Sequence, residues 1–181
     1  MSSPGHADAA AAPPPRRAFV GLGANIGDRR ANIQAAIRRL HRPPDIRVLR
    51  CSGLYETEPV DMATPHWFLN GVAEIRTRLS PEALLEVLMA VERELGRNRA
   101  LGGDRPLDLD LLYLEGVHLR RPGLQVPHPR LAERRFVLTP WAELAPGLRL
   151  RAWSATVGEL LAALPPGGPV VRPAHPAPEV P

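Results

Sequence analysis

The chain has 181 residues, 44% of them apolar, and a net charge of +4. These values exclude a disordered or fibrous protein and suit one globular domain with its own core. A lone cysteine, Cys51, excludes an internal disulfide framework, and no apolar run reaches the length of a membrane span.

All 23 basic residues are arginine, whose planar fork suits phosphates and carboxylates. A basic chain permits nucleic acid, nucleotide or acidic metabolite as partner without choosing among them. The N-terminal stretch lacks a basic segment followed by a long apolar one, so a cytoplasmic location is expected.

Residues 1–16 and 165–181 are rich in Ala and Pro and are expected to be disordered tails around a domain at 17–164. "RAFVGLG" reads as a strand that ends at glycines. The spacing of Ile33, Ile37 and Leu40 predicts a helix after it, capped by Asp28 and ended by Pro43 and Pro44. "IRVLRCSGLYETEP" alternates as one strand, and "WFLNGVAEIRTRL" is the next. "SPEALLEVLMAVERELG" is the clearest helix, with Ser80 as cap, Pro81 at its first position and Gly96 as its stop. "LDLDLLYLEGVHL" reads as a strand, a Glu-Gly turn and a second strand. Short helices follow in "HPRLAERRFVLTPWAELAP", and a last helix in "SATVGELLAAL". The order β-α-β-β-α-β predicts an α+β, ferredoxin-like, antiparallel-rich sheet. Helices would pack on one face, with an appended hairpin and C-terminal helices.

Within "RPLDLDLLYL", Asp108 and Asp110 interrupt a run of leucines. In a strand, residues i and i+2 share a face about 6.6 Å apart, at ~3.3 Å rise per residue. Two like charges so close need something positive between them. Mg²⁺ takes one or two carboxylates and completes its shell with water and phosphates, and two ions could be held by the pair. A solvated strand edge is the other reading of D-x-D taken alone. The neighbours favour the first. Arg97, Arg99 and Arg105 lie in a Gly-rich stretch upstream, and His128, Arg130, Arg134 and Arg135 follow downstream. Acids flanked by arginines read as a polyphosphate site.

"GLGANIG" invites a dinucleotide-binding reading, but Ile26 stands where G-x-G-x-x-G needs its third glycine. A basic ferredoxin-like RNA-binding module is a second alternative. It would want an aromatic-rich central strand, and an acid pair on the sheet repels a phosphate backbone. A metal-dependent transferase with some other acceptor stays open at this level.

Several motifs in order then resemble the 6-hydroxymethyl-7,8-dihydropterin pyrophosphokinase family of folate biosynthesis, from Phe19 to Pro146. They are "FVGLGANIGDRRANIQAAIRRL", "SGLYETEPV", "FLNGVAEIRT", "RPLDLDLLYL" and "VPHPRLAERRFVLTPWAELAP". The resemblance implies Mg-dependent transfer of pyrophosphate from ATP to the pterin hydroxymethyl group, with AMP leaving. It implies two Mg²⁺ ions on Asp108 and Asp110, and ATP bound by Arg97, Arg99, Arg105, His128 and Arg134. The pterin would lie among Thr57, Pro59, Val60, Phe68, Asn70 and Phe136, and Arg97, Arg105 and Asp110 would be catalytic. A monomer that binds neither nucleic acid nor membrane is expected. The chain departs from the family at "LGGDR", which stands where many members carry Arg-Trp-Gly-Pro-Arg, and at Pro129, where some have Tyr.

Overall fold

The computed structural model describes residues 13–61, 63–98 and 103–181. β1 (Arg16–Ala24) leads into α1 (Arg29–Leu40) through Gly27, whose φ of +70° suits glycine. The Asp28 side chain accepts from the Ala31 amide and caps α1, as expected. β2 (Ile46–Cys51) and β3 (Leu54–Thr57) stand where the sequence predicts one strand. The break falls at Ser52, whose Oγ accepts from the Val72 amide at 2.9 Å and donates to the Gly53 carbonyl at 2.8 Å. That side chain replaces a ladder bond and lets the chain change register along one neighbour. That neighbour is β4 (Phe68–Thr77). α2 (Pro81–Glu94) is capped by Ser80 and stopped at Gly96, where φ is +86°. β5 (Asp108–Leu114) completes a β-α-β-β-β-α-β order, the expected plan with its second strand split in two.

Beyond it come β6 (Leu119–Arg121), β7 (Leu124–Val126), α3 (Arg135–Leu144), β8 (Arg149–Leu150), β9 (Ala155–Thr156), α4 (Val157–Ala163) and β10 (Val171–His175). The main sheet runs β10-β3-β4-β1-β5, with β2 also on β4, and every pairing is antiparallel.

Three expectations need correction. The helices cover both faces. α1 and α2 pack Ile33, Ile37, Leu84 and Leu88 against Leu22, Ile75 and Leu109 on one side. On the other, α3 and α4 bring Leu138, Trp141 and Val157 to Phe19, Val72 and Leu112. Each late helix carries its own apolar stripe and needs a partner, so β4 is buried at all but Arg76.

The hairpin is not the predicted one. Gly116 makes a turn, but β6 pairs with β7 across Pro122 and Gly123 rather than with β5. The local Pro-Gly turn closes the shorter loop.

The segment 165–181 is not an unstructured tail. β10 adds to the edge of β3, with Val171 opposite Thr57. Farther on, Gln34 of α1 exchanges side-chain bonds with the Glu179 backbone (2.7 and 2.9 Å), and Val180 packs on the core. Backbone pairing needs no apolar composition, so Pro-rich sequence hid it. At the other end Pro13 to Pro15 are irregular, β1 begins at Arg16, and the rest of the expected N-terminal tail lies outside the described residues.

Deleting 165–181 should therefore destabilise the fold. Each kcal/mol lost lowers the midpoint by about 2–4 °C in a domain of this size. A thermal melt should show at least that drop, whereas an unchanged midpoint would make the segment a passenger.

Candidate active site

Three central strands build the floor of a trench on the α3 side of the sheet. Gly21 and Gly23 of β1 stand opposite Asp110 and Asp108 of β5, and opposite Val72 and Asn70 of β4. A Cβ on Gly23 would meet Asn70 Oδ1 at 2.8 Å, and one on Gly21 would lie 3.5 Å from Asp110 Cβ. Glycine here keeps the sheet low between the acids and the amide. The alternation of β5 sends Leu107, Leu109 and Leu111 into the other core and leaves both acids on this face.

Over the trench lies a cavity of about 230 Å³. It is lined by Asp108, Asp110, Arg97, Arg105, Arg134 and His128, and by Thr57, Val60, Phe68, Asn70 and Phe136. Of the predicted site residues, Pro59 does not line it, although its neighbours Glu58 and Val60 do. Arg99 lies outside the described residues.

The acids are held unequally. Asp108 pairs with Arg97 and, at 2.6 Å, with Arg105 Nη2. Burial alone would raise its carboxyl, but the Arg105 and Arg97 charges outweigh that and hold it below the usual range. Among the described residues Asp110 forms one ion pair, with Arg134 at 3.7 Å. Burial and then the Asp108 charge push its carboxyl up, and the arginines offset this incompletely. Burial, with the charges of Arg134 and Arg130, lowers His128 to about 4, so it is neutral at pH 7. Among the described residues no three or more His, Cys, Asp or Glu side chains cluster as a metal site. The donor set is two hard carboxylates on one strand face, one with its repulsion unrelieved. That set fits Mg²⁺ completed by phosphates and water.

The wall offers recognition chemistry. Asn70 is 8% exposed and its Nδ2 donates to Thr57 Oγ1 at 2.6 Å, which orients the amide. The Arg105 guanidinium lies 4.9 Å over the Phe68 ring, and that of Arg134 lies 5.6 Å over Phe136. A second cavity, about 360 Å³, opens outside the β5 edge among Leu85, Leu109, Leu111 and Leu124. It shares Asp110 and His128 with the first, so the two cavities meet at those two residues.

Sequence reading missed Glu92, which is 4% exposed on α2. It binds Arg97 and accepts from the Leu109 amide at 2.8 Å, between the two acids. Its signal was available: an acid four residues after Leu88 on an apolar helix face. Asn25 and Asp104, which brace the Arg105 segment, carry no such signal.

Residues 19–146 match the family described as 7,8-dihydro-6-hydroxymethylpterin-pyrophosphokinase. The chain belongs to this family. It is 43% identical over 153 residues to the 2-amino-4-hydroxy-6-hydroxymethyldihydropteridine pyrophosphokinase of Methylorubrum extorquens, covering 84% of this chain and 96% of that one. With the Pseudomonas aeruginosa enzyme of the same name it shares 44% identity over 151 residues, or 83% of this chain and 93% of the relative. A crystal structure of Plasmodium falciparum HPPK-DHPS superposes with a TM-score of 0.67 at 13% identity, a likeness of fold alone. This chain spans 44% of that longer one, which covers 82% of this chain. The protein is an enzyme of the family's kind, which transfers pyrophosphate from ATP to hydroxymethyldihydropterin in folate biosynthesis.

Gly23→Ala should cost about 1–3 kcal/mol, the penalty of leaving a buried polar group unpaired, because the new methyl displaces Asn70 from Thr57. Urea unfolding reads this directly. Full stability would mean that Asn70 has room to move.

Proposed function

We propose that this enzyme seats the pterin against Phe68, Asn70, Thr57 and Phe136, and ATP along Asp110 and His128 with its base in the cavity outside β5. The junction of the two cavities at Asp110 and His128 carries the reading. At that junction a hydroxyl held in one cavity would meet a polyphosphate held in the other. Asn70 supplies donor and acceptor for a heterocycle edge, and the aromatic rings supply stacking planes. The slot combines Leu85 and Leu124 with Arg121 and Gln125, apolar walls for a flat purine beside polar groups for its edge, and Asp110 and His128 would face the phosphates.

Asp108 and Asp110 are the residues that would hold two Mg²⁺ ions. When bound, these would neutralise phosphate charge and lower the pKa of a bound hydroxyl. Arg97 and Arg105 now neutralise Asp108. With Mg²⁺ on Asp108, the Arg97 and Arg105 guanidiniums would bind the phosphates, where charge-assisted bonds are strong. Arg134 is the least committed: its Nη1 lies 3.7 Å from Asp110 and its Nε has no partner among the described residues. His128, neutral, donates or accepts without adding charge. The pterin hydroxymethyl oxygen attacks the β-phosphorus, AMP leaves, and the Asp110 carboxylate accepts the hydroxyl proton. Pro59 shapes the pterin loop through Glu58 and Val60, and Arg99 stays an ATP ligand by the resemblance. The protein acts as a cytoplasmic monomer on these small substrates, with no nucleic acid. The acid pair supports the last point, and the lone buried Cys51 suits a reducing compartment.

The test is AMP formation from ATP with 6-hydroxymethyl-7,8-dihydropterin and Mg²⁺. Asp108→Asn and Asp110→Asn should each lower kcat by at least about a hundredfold while folding normally, since an amide keeps the shape and loses the charge. Phe68→Ala should weaken the pterin more than ATP, because stacking is lost on one side only. Near-normal turnover in either Asn variant at saturating Mg²⁺ would refute the acid-pair assignment.

A further inference from the structure

Arg97 and Arg105 reach Asp108 by different routes. Arg97 follows α2 and is gripped by buried Glu92. Arg105 lies in a segment without regular structure, so something else must fix it. Asn25, at the end of β1 and 4% exposed, clasps its backbone on both sides. The Arg105 amide donates to Asn25 Oδ1 at 2.7 Å, and the Asn25 amide donates to the Arg105 carbonyl at 3.1 Å.

That clasp works only if the Asn25 side chain presents its oxygen to Arg105. Rotated by half a turn, it would set donor against donor. Asp104 fixes the orientation by accepting from Asn25 Nδ2 at 2.7 Å. The same carboxylate reaches another loop. Oδ1 also accepts from Thr64 Oγ1 at 2.6 Å, and Oδ2 stands 2.9 Å from His66 Nδ1. Asp104 thus joins β1, the 64–66 loop and the Arg105 segment through one side chain. The Thr64 hydroxyl, His66 and Asn25 hold its carboxyl below the usual range, so it is an acceptor at neutral pH.

We propose that Asp104 is a positioning residue for pyrophosphoryl transfer: by orienting Asn25 and anchoring to Thr64 and His66, it holds the Arg105 guanidinium between Asp108 and Phe68. It touches no reacting atom in this account. It acts through Arg105, so the inference rests on the reading of Arg105 as a phosphate clamp.

Asp104→Ala, Arg105→Ala and the double variant test it, with kcat, KM and thermal midpoint for each and hydrogen exchange at the Arg105 amide for the first. Misplacing a catalytic group by about 1 Å can cost a hundredfold, so a loosened Arg105 should lower kcat about tenfold in Asp104→Ala. The midpoint should move by no more than about 2 °C, as for a surface substitution. The Arg105 amide should exchange faster. The double variant should be no slower than Arg105→Ala, because the two act in series. Normal kcat in Asp104→Ala beside an impaired Arg105→Ala would overturn the role of Asp104 alone. So would losses that multiply in the double variant. Normal kcat in Arg105→Ala would overturn the clamp reading beneath it. Should Asp104→Ala fold poorly, Thr64→Val and His66→Gln each remove one anchor and should lower kcat in the same direction, and normal kcat in both would overturn the proposal.

Discussion

Two carboxylates on one strand face, about two residues' rise apart, repel each other, and much of the surrounding structure answers that repulsion. Three elements deliver arginines to Asp108 and Asp110. Arg97 comes from the end of α2, Arg105 from the segment before β5, and Arg134 from the turn before α3. The compensation is uneven. Asp108 has two close guanidinium partners and a lowered carboxyl, whereas Asp110 has a distant one and a raised carboxyl. A pair left in that state has the donor chemistry that suits a divalent cation. The arginines that neutralise it at rest are the groups a polyphosphate needs once a cation has taken their place.

The fold makes this possible by burying everything else about β5. Leu109, Leu111 and Leu114 enter the core under α1 and α2, Leu112 enters the core under α3 and α4, and Glu92 ties the backbone between the acids to α2. Glycines at 21 and 23 leave a trench in the middle of a sheet that α3 and α4 otherwise cover. Covering both faces yields two cavities that share Asp110 and His128. An enzyme joining two substrates needs such a shared boundary, and excluding water there protects the nucleotide from hydrolysis.

The sequence was informative where periodicity or local chemistry decides the outcome. Asp28 and Ser80 cap their helices as their spacing implies. The alternation through Asp108 and Asp110 places both acids on one face, and Phe68 and Asn70 share another stretch of it. It was uninformative where long-range pairing decides. The β10 strand is Pro-rich and joins the sheet by backbone bonds that no composition announces. The Ser52 break depends on a hydroxyl meeting a strand twenty residues on. Asp104, in the stretch where this chain departs from the family's Trp-containing motif, shows its role only when Asn25, Thr64 and His66 stand around it.

On the proposed reading, Asp108 and Asp110 would hold divalent cations together with the nucleotide. Titration of Mn²⁺ by electron paramagnetic resonance measures this directly, with a non-hydrolysable ATP analogue and the pterin present. The wild-type enzyme should bind two ions per chain in the ternary complex, and the Asp108→Asn/Asp110→Asn double variant should lose the enzyme-bound ions while still melting cooperatively. Equal Mn²⁺ uptake by the two proteins would contradict the account.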